Sequence, residues 1–143
     1  MGQSGVPVGL IKGESSIKEL NKREGLVLYW CEGDKSKSGK YKVAVTSSDP
    51  RMIKHFISWI YRYYGVNEEK IKLRLHLWPE SKIDNCQNWW LKKLNYEFNF
   101  TKPYIKEKSG KNNKYPNGIC RASLNSKEIF TRIIEDISLE LTS

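Results

Sequence analysis

The sequence predicts an α+β domain with helices packed on one face of a mainly antiparallel sheet. Stretches with apolar residues at helical spacing are separated by short segments that alternate apolar and polar residues. The strands are too mixed with non-crossover connections to demand a doubly wound parallel sheet. No composition break divides the 143 residues, of which 38% are hydrophobic, so one core is expected. Residues 15–143 are read as that domain. Residues 1–14, with Gly, Pro and Ser interleaved, are read as a flexible N-terminal arm.

In chain order, Asn21 with Glu24 three residues later forms a capping-box pattern, and Leu26 to Cys31 follow as an apolar run that Gly33 is placed to end. A helix so nearly apolar all round needs cover on most sides, from its own sheet and a second helix or from a partner chain. Tyr41, Val43 and Val45 alternate with Lys42, Ala44 and Thr46, a strand with one buried face. Ser48-Asp49-Pro50 then gives a cap and an N1 proline, and Ile53, Phe56, Ile57, Ile60 and Tyr64 recur at helical spacing up to Gly65.

Residues 71 to 78 alternate cleanly, with Ile71, Leu73, Leu75 and Leu77 on one face and Lys72, Arg74, His76 and Trp78 on the other. One face is core and the other cationic. Ser81 with Asp84 is read as the cap of a shorter helix carrying Ile83, Cys86, Trp89, Trp90 and Leu94, with at least one tryptophan in the core. A strand is expected within Thr101 to Lys106, then a mobile basic loop from Lys108 to Asn117. Ile119 to Leu124 reads as a further strand. Asn125 with Glu128 is read as the cap of a last helix bearing Ile129, Phe130, Ile133, Ile134, Ile137 and Leu141. The outer face of the sheet would then carry Lys42, Arg74, His76 and Arg121.

Charge points toward the partner. Lys and Arg number 25 against 16 Asp and Glu, a formal charge of +9, so the chain should be drawn to a polyanion by a field that salt weakens. Nucleic acid fits that description, although charge alone is not decisive. Cys31, Cys86 and Cys120 are far apart and lack zinc-ligand spacing, so free thiols in a reducing compartment are expected. No apolar run approaches the roughly 18 residues that span a bilayer, and the expected setting is cytoplasmic, nucleoid-associated in a prokaryote. The absence of a Gly-rich phosphate loop, a Ser-His-Asp arrangement or a nucleotide fingerprint argues against a metabolic enzyme.

Glu32 is the most informative single residue. It ends a helix where the macrodipole disfavours negative charge by a few tenths to about 1 kcal/mol, and Asp34 follows it. An acidic group beside helix-end carbonyls suits Mg²⁺, which takes one or two carboxylates and completes its shell with water and phosphate. The plain alternative is a carboxylate that is solvated or paired with Lys35 or Lys37.

Leu28-Tyr29-Trp30-Cys31-Glu32-Gly33 looks like the second half of a degenerate LAGLIDADG motif, and the ordered segments after it extend the likeness. They are Thr46-Ser47-Ser48-Asp49-Pro50, Tyr64-Gly65-Val66, Leu73-Arg74-Leu75-His76, Phe100-Thr101-Lys102-Pro103-Tyr104 and Tyr115-Pro116-Asn117-Gly118-Ile119. Over about residues 20 to 141 the chain resembles compact, single-motif relatives of the LAGLIDADG homing endonucleases. The resemblance implies a saddle-shaped sheet in the major groove of duplex DNA and a homodimer through helix 22–33. It also implies Mg²⁺-dependent phosphodiester hydrolysis, with Glu32 as catalytic residue and metal ligand. A supporting lysine is implied as well, for which Lys102, Lys106 and Lys114 are candidates and Lys102 is named first. Lys40, Lys42, Lys72, Arg74, His76, Lys106, Lys114 and Arg121 take the DNA-binding role. Against the family pattern, Gly25 and Val27 replace a leading Leu and an interior Gly, and bulky Trp30 stands where a small or acidic residue is usual. An inactive DNA-binding regulator, or an RNA-binding protein of the maturase kind, therefore stays open on the same scaffold.

Overall fold

The computed structural model describes residues 19–33, 41–95, 100–107 and 115–142. These residues form helix α1 (Lys22–Glu32), strand β1 (Lys42–Ser47), helix α2 (Pro50–Tyr64), strand β2 (Lys72–Leu77), helix α3 (Ile83–Leu94), strands β3 (Tyr104–Ile105) and β4 (Ile119–Asn125), and helix α4 (Lys127–Thr142). A single 3₁₀ turn, Glu68–Lys70, leads into β2. The fold is α+β, with a mixed four-stranded sheet in the order β1-β4-β2-β3. β4 pairs antiparallel with both β1 and β2, while the short β3 runs parallel to β2.

Each helix end has a local cause. In α1, Asn21 Oδ1 accepts from the Glu24 N–H at 2.8 Å and the Asn21 N–H donates to Glu24 Oε1 at 2.9 Å, so the capping box is closed in both directions. α2 starts on Asp49, whose carboxylate accepts from the Arg51 N–H, with Pro50 at N1. It stops at Gly65, which takes the left-handed conformation at φ 70°. Gly33 caps α1 differently. Its backbone is extended rather than left-handed, and it continues into an antiparallel bridge with Val45.

Two caps and one strand depart from the sequence reading. Ser81 does not cap α3: its hydroxyl accepts from the Trp78 N–H in a tight turn, and the N-cap is Lys82, which makes no side-chain cap bond. Asn125 does not cap α4 because it is the last residue of β4, paired with Lys42. Ser126 takes that role, its Oγ accepting from the Ile129 N–H at 3.1 Å. The strand expected within Thr101 to Lys106 contracts to Tyr104–Ile105.

The core lies on one side of the sheet. Val43 and Val45 of β1, Leu73, Leu75 and Leu77 of β2, and Cys120, Ala122 and Leu124 of β4 join one cluster with Leu26 and Tyr29 of α1, Ile53, Phe56, Ile57, Trp59 and Ile60 of α2, Cys86, Trp90 and Leu94 of α3, and Ile129, Phe130, Ile133 and Ile137 of α4. Trp90, not Trp89, is the fully buried tryptophan of its pair. Its indole N–H donates to the Asn117 carbonyl and ties α3 to the turn before β4. Gly118 in that turn has φ 83°, and a side chain there would collide with Leu77 and the His76 carbonyl.

α1 is placed by close approach. A side chain at Gly25 would overlap the Trp59 indole, whose N–H donates to the Lys22 carbonyl at 3.2 Å. At its other end the Tyr29 hydroxyl meets the Ala44 N–H, so α1 covers the outer edge of β1. Ion pairs Lys22–Asp136 and Arg23–Glu140 join α1 to α4. Within the single chain α1 buries Gly25, Leu26 and Tyr29. Val27 stays 39% exposed and Trp30 52%.

Candidate nucleic-acid interface

The outer face of the sheet is built by register. Lys42 faces Asn125; Ala44, Ser123 and Lys72 lie abreast across β1, β4 and β2; Thr46, Arg121 and Arg74 form the next row; and Ile119, His76 and Tyr104 follow. Rows are about 6.8 Å apart and strands about 4.8 Å. No residue of any strand is Asp or Glu, so nothing on the strands themselves offsets Lys42, Lys72, Arg74 and Arg121.

Aromatic groups hold the cations at one edge. The Arg74 guanidinium lies 5.9 Å from the Tyr104 ring centroid, and Lys106 Nζ lies 5.5 Å from that of Trp78, distances at which a cation is drawn to the ring quadrupole. Tyr104 in turn packs against His76 with centroids 5.5 Å apart. Toward β1, Arg121 Nη1 donates to Thr46 Oγ1 at 3.4 Å. Partial burial pushes the His76 imidazole below its ordinary pKa, and neighbouring Lys106, Arg74 and Arg121 push in the same direction. His76 is a neutral side chain inside a cationic field.

Several candidates from the sequence thus converge: Lys42, Lys72, Arg74, His76, Lys106 and Arg121 share this face or its edge. Tyr104, Trp78 and Thr46 complete it, although the sequence reading gave them no binding role. Lys40 and Lys114 lie outside the described residues, as do Asp34 and the basic loop from Lys108 to Lys114.

Glu32 stands apart from this convergence. It is exposed at the end of α1, next to Gly33, which bridges the outer edge of β1. Lys102 follows Thr101, whose N–H donates to the Leu73 carbonyl at the opposite edge of the sheet, and the Lys106 N–H donates to the Leu77 carbonyl at that same edge. Three strand spacings, about 14 Å, separate β1 from β3, and Gly33 lies one spacing beyond β1. One chain therefore does not bring Glu32 to either described lysine. Among the described residues no group of three His, Cys, Asp or Glu is placed to hold a metal.

Elsewhere, a cleft of about 280 Å³ lies at the start of α3, lined by Glu80, Ser81, Lys82, Asn85, Cys86, Pro116 and Asn117. Its opposed charges give it no preference for an anion. Lys54 of α2, unmarked in the sequence reading, is almost fully buried, and no buried side-chain nitrogen or oxygen among the described residues lacks a hydrogen-bond partner. Burial raises the thiol pKa of Cys86 and Cys120, which keeps both protonated and unreactive. Among the described residues no helix is long and apolar enough to cross a membrane. No protein-family model, curated protein or solved structure matches the chain.

Proposed function

We propose that the chain binds duplex DNA through the outer face of its sheet. The observation that carries this reading is the array of Lys42, Lys72, Arg74 and Arg121 on strands that contain no carboxylate. The outward rows of β1, β4 and β2 span two strand spacings, about 10 Å, which suits a major groove about 12 Å wide. Net charge supplies long-range attraction, and the strand face supplies the contact surface.

In its fuller form the reading is a saddle-shaped LAGLIDADG-type homing endonuclease acting as a homodimer through helix 22–33. Half-exposed Val27 and Trp30 on α1 support that pairing, because a second copy of the helix would cover them. The donor set fits Mg²⁺ only across two copies: one Glu32 from each chain, with phosphate oxygens and water, would satisfy a hard cation that needs few protein ligands. When bound, the ion would supply Lewis-acid stabilisation of phosphate charge. The protein's own part is to hold the carboxylates on the two-fold axis and the DNA on the sheets.

A second reading, a DNA-binding regulator without cleavage, is favoured by the separation of Glu32 from Lys102 and Lys106 and by the bulk of Trp30 beside it. Incubating wild type and Glu32→Gln with a randomised duplex library, with Mg²⁺ or with EDTA, separates the two. Metal-dependent double-strand cutting that Glu32→Gln abolishes supports the endonuclease. Retention without cutting supports the regulator, and tighter capture of structured RNA in competition would overturn both.

A further inference from the structure

We infer that Arg74 and Arg121 are a guanine-reading pair at the centre of the outer sheet face, so that the preferred duplex carries guanines at the positions beneath them. This rests on the DNA-binding reading above and adds a base preference to it.

Position comes first. Arg74 and Arg121 are direct cross-strand partners on β2 and β4, the two inner strands of the sheet. The lysines ring them: Lys42 and Lys72 open their strands, and Lys102 and Lys106 flank the β3 edge. On a sheet laid into a groove, the central row reaches the groove floor and the periphery meets the phosphate walls. Phosphate contacts position a protein, whereas contacts with base edges specify a sequence.

Residue type agrees with position. Arginine presents a planar fork that matches the O6 and N7 acceptors of guanine in a bidentate pair. Both forks are restrained before any ligand arrives. Arg121 is held by Thr46 Oγ1 and Arg74 lies over the Tyr104 ring, which is itself backed by His76. Restraint lowers the ordering cost of binding.

Adjacency supplies the third argument. The two arginines stand directly opposite each other on antiparallel strands. Side chains on paired strands sit about 5 Å apart, within reach of guanines on the same or neighbouring base pairs.

The test selects bound duplexes from a randomised library with wild type, Arg74→Gln, Arg121→Gln and the double variant, without metal. The best wild-type duplex is then remade with 7-deazaguanine, which lacks the N7 acceptor. The inference expects guanine enrichment for wild type and a loss of affinity of roughly tenfold per read position on 7-deazaguanine substitution. Each glutamine variant should lose the guanine preference at one position while keeping its fold by circular dichroism. Wild-type retention with no guanine bias, or glutamine variants with unchanged preference, would overturn the inference and leave duplex binding standing. Failure of wild type to retain any duplex would remove the underlying reading and this one with it.

Discussion

On β2, the side chains that point inward and those that point outward meet different demands. Leu73, Leu75 and Leu77 have no exposed surface, and burying a leucine contributes about 1.5–3 kcal/mol. Lys72 and Arg74 stand in solvent, and Arg74 faces another arginine. The inward set holds the fold together. The outward set adds no comparable burial and places two arginines side by side.

Substitution can break that division. Leu75→Ala leaves a cavity beneath the sheet and is expected to cost about 2–5 kcal/mol of stability in denaturant unfolding. Arg74→Ala, one residue away, should leave the unfolding midpoint unchanged or slightly raised, because it removes a like-charge neighbour. If Arg74→Ala destabilised the protein as much as Leu75→Ala does, the outer face would be structural and the functional reading would lose its basis.

The same division appears in binding. Replacing both Arg74 and Arg121 with Ala is expected to weaken duplex binding by about 1–3 kcal/mol per lost base contact while changing the salt dependence little. Lys72→Ala should instead reduce the slope of log affinity against log salt by about 0.9 for a lost phosphate contact. Titrations at several salt concentrations distinguish the two. Equal slopes for both variants would mean that the arginines meet phosphates.

The two faces were also unequally legible. The alternation at residues 71 to 78 identified the core and solvent sides of β2 because a slip of one residue would exchange them. Local spacing succeeded for the Asn21–Glu24 box and the Asp49-Pro50 start, where each side chain serves only its own helix. It failed at Ser81, already engaged by the Trp78 N–H, and at Asn125, taken by strand pairing. The Arg74–Arg121 pair was beyond local reasoning. Each arginine was a candidate, but their adjacency depends on the strand order β1-β4-β2-β3 and on a register between distant segments. Tyr104 escaped for the same reason: a two-residue parallel strand leaves too little pattern to place it beside His76.

A smaller effect is expected away from the sheet. Asp49 caps α2 and its carboxylate binds Arg51 through two side-chain bonds, which hold the carboxyl below its ordinary pKa. Asp49→Ala should cost about 1 kcal/mol through the lost cap, with no change in DNA affinity. Because the folded pKa is depressed, the Asp49 contribution is fully present above the unfolded carboxylate pKa and is lost as pH falls through the folded one. The stability gap between wild type and variant should therefore close in acid, as denaturant titrations down through that range would show.

His76 provides the finest probe of the outer face, because folding and binding move its proton in opposite directions. In the free protein its pKa lies below the ordinary 6.5. As pH falls below that value the unfolded chain takes up the proton first, and His76 makes acidification destabilising. Against DNA the sign reverses. On the proposed binding face, phosphates near His76 would oppose the field of Lys106, Arg74 and Arg121 and raise its pKa, so the complex would take up a proton that the free protein does not. Duplex affinity should then rise as pH drops through the window between the two folded-state values. His76→Gln keeps a hydrogen-bonding side chain and should flatten that dependence while leaving affinity at neutral pH nearly unchanged. An unaltered pH profile in His76→Gln would place the DNA away from the β2–β3 edge, and with it away from Tyr104 and Lys106.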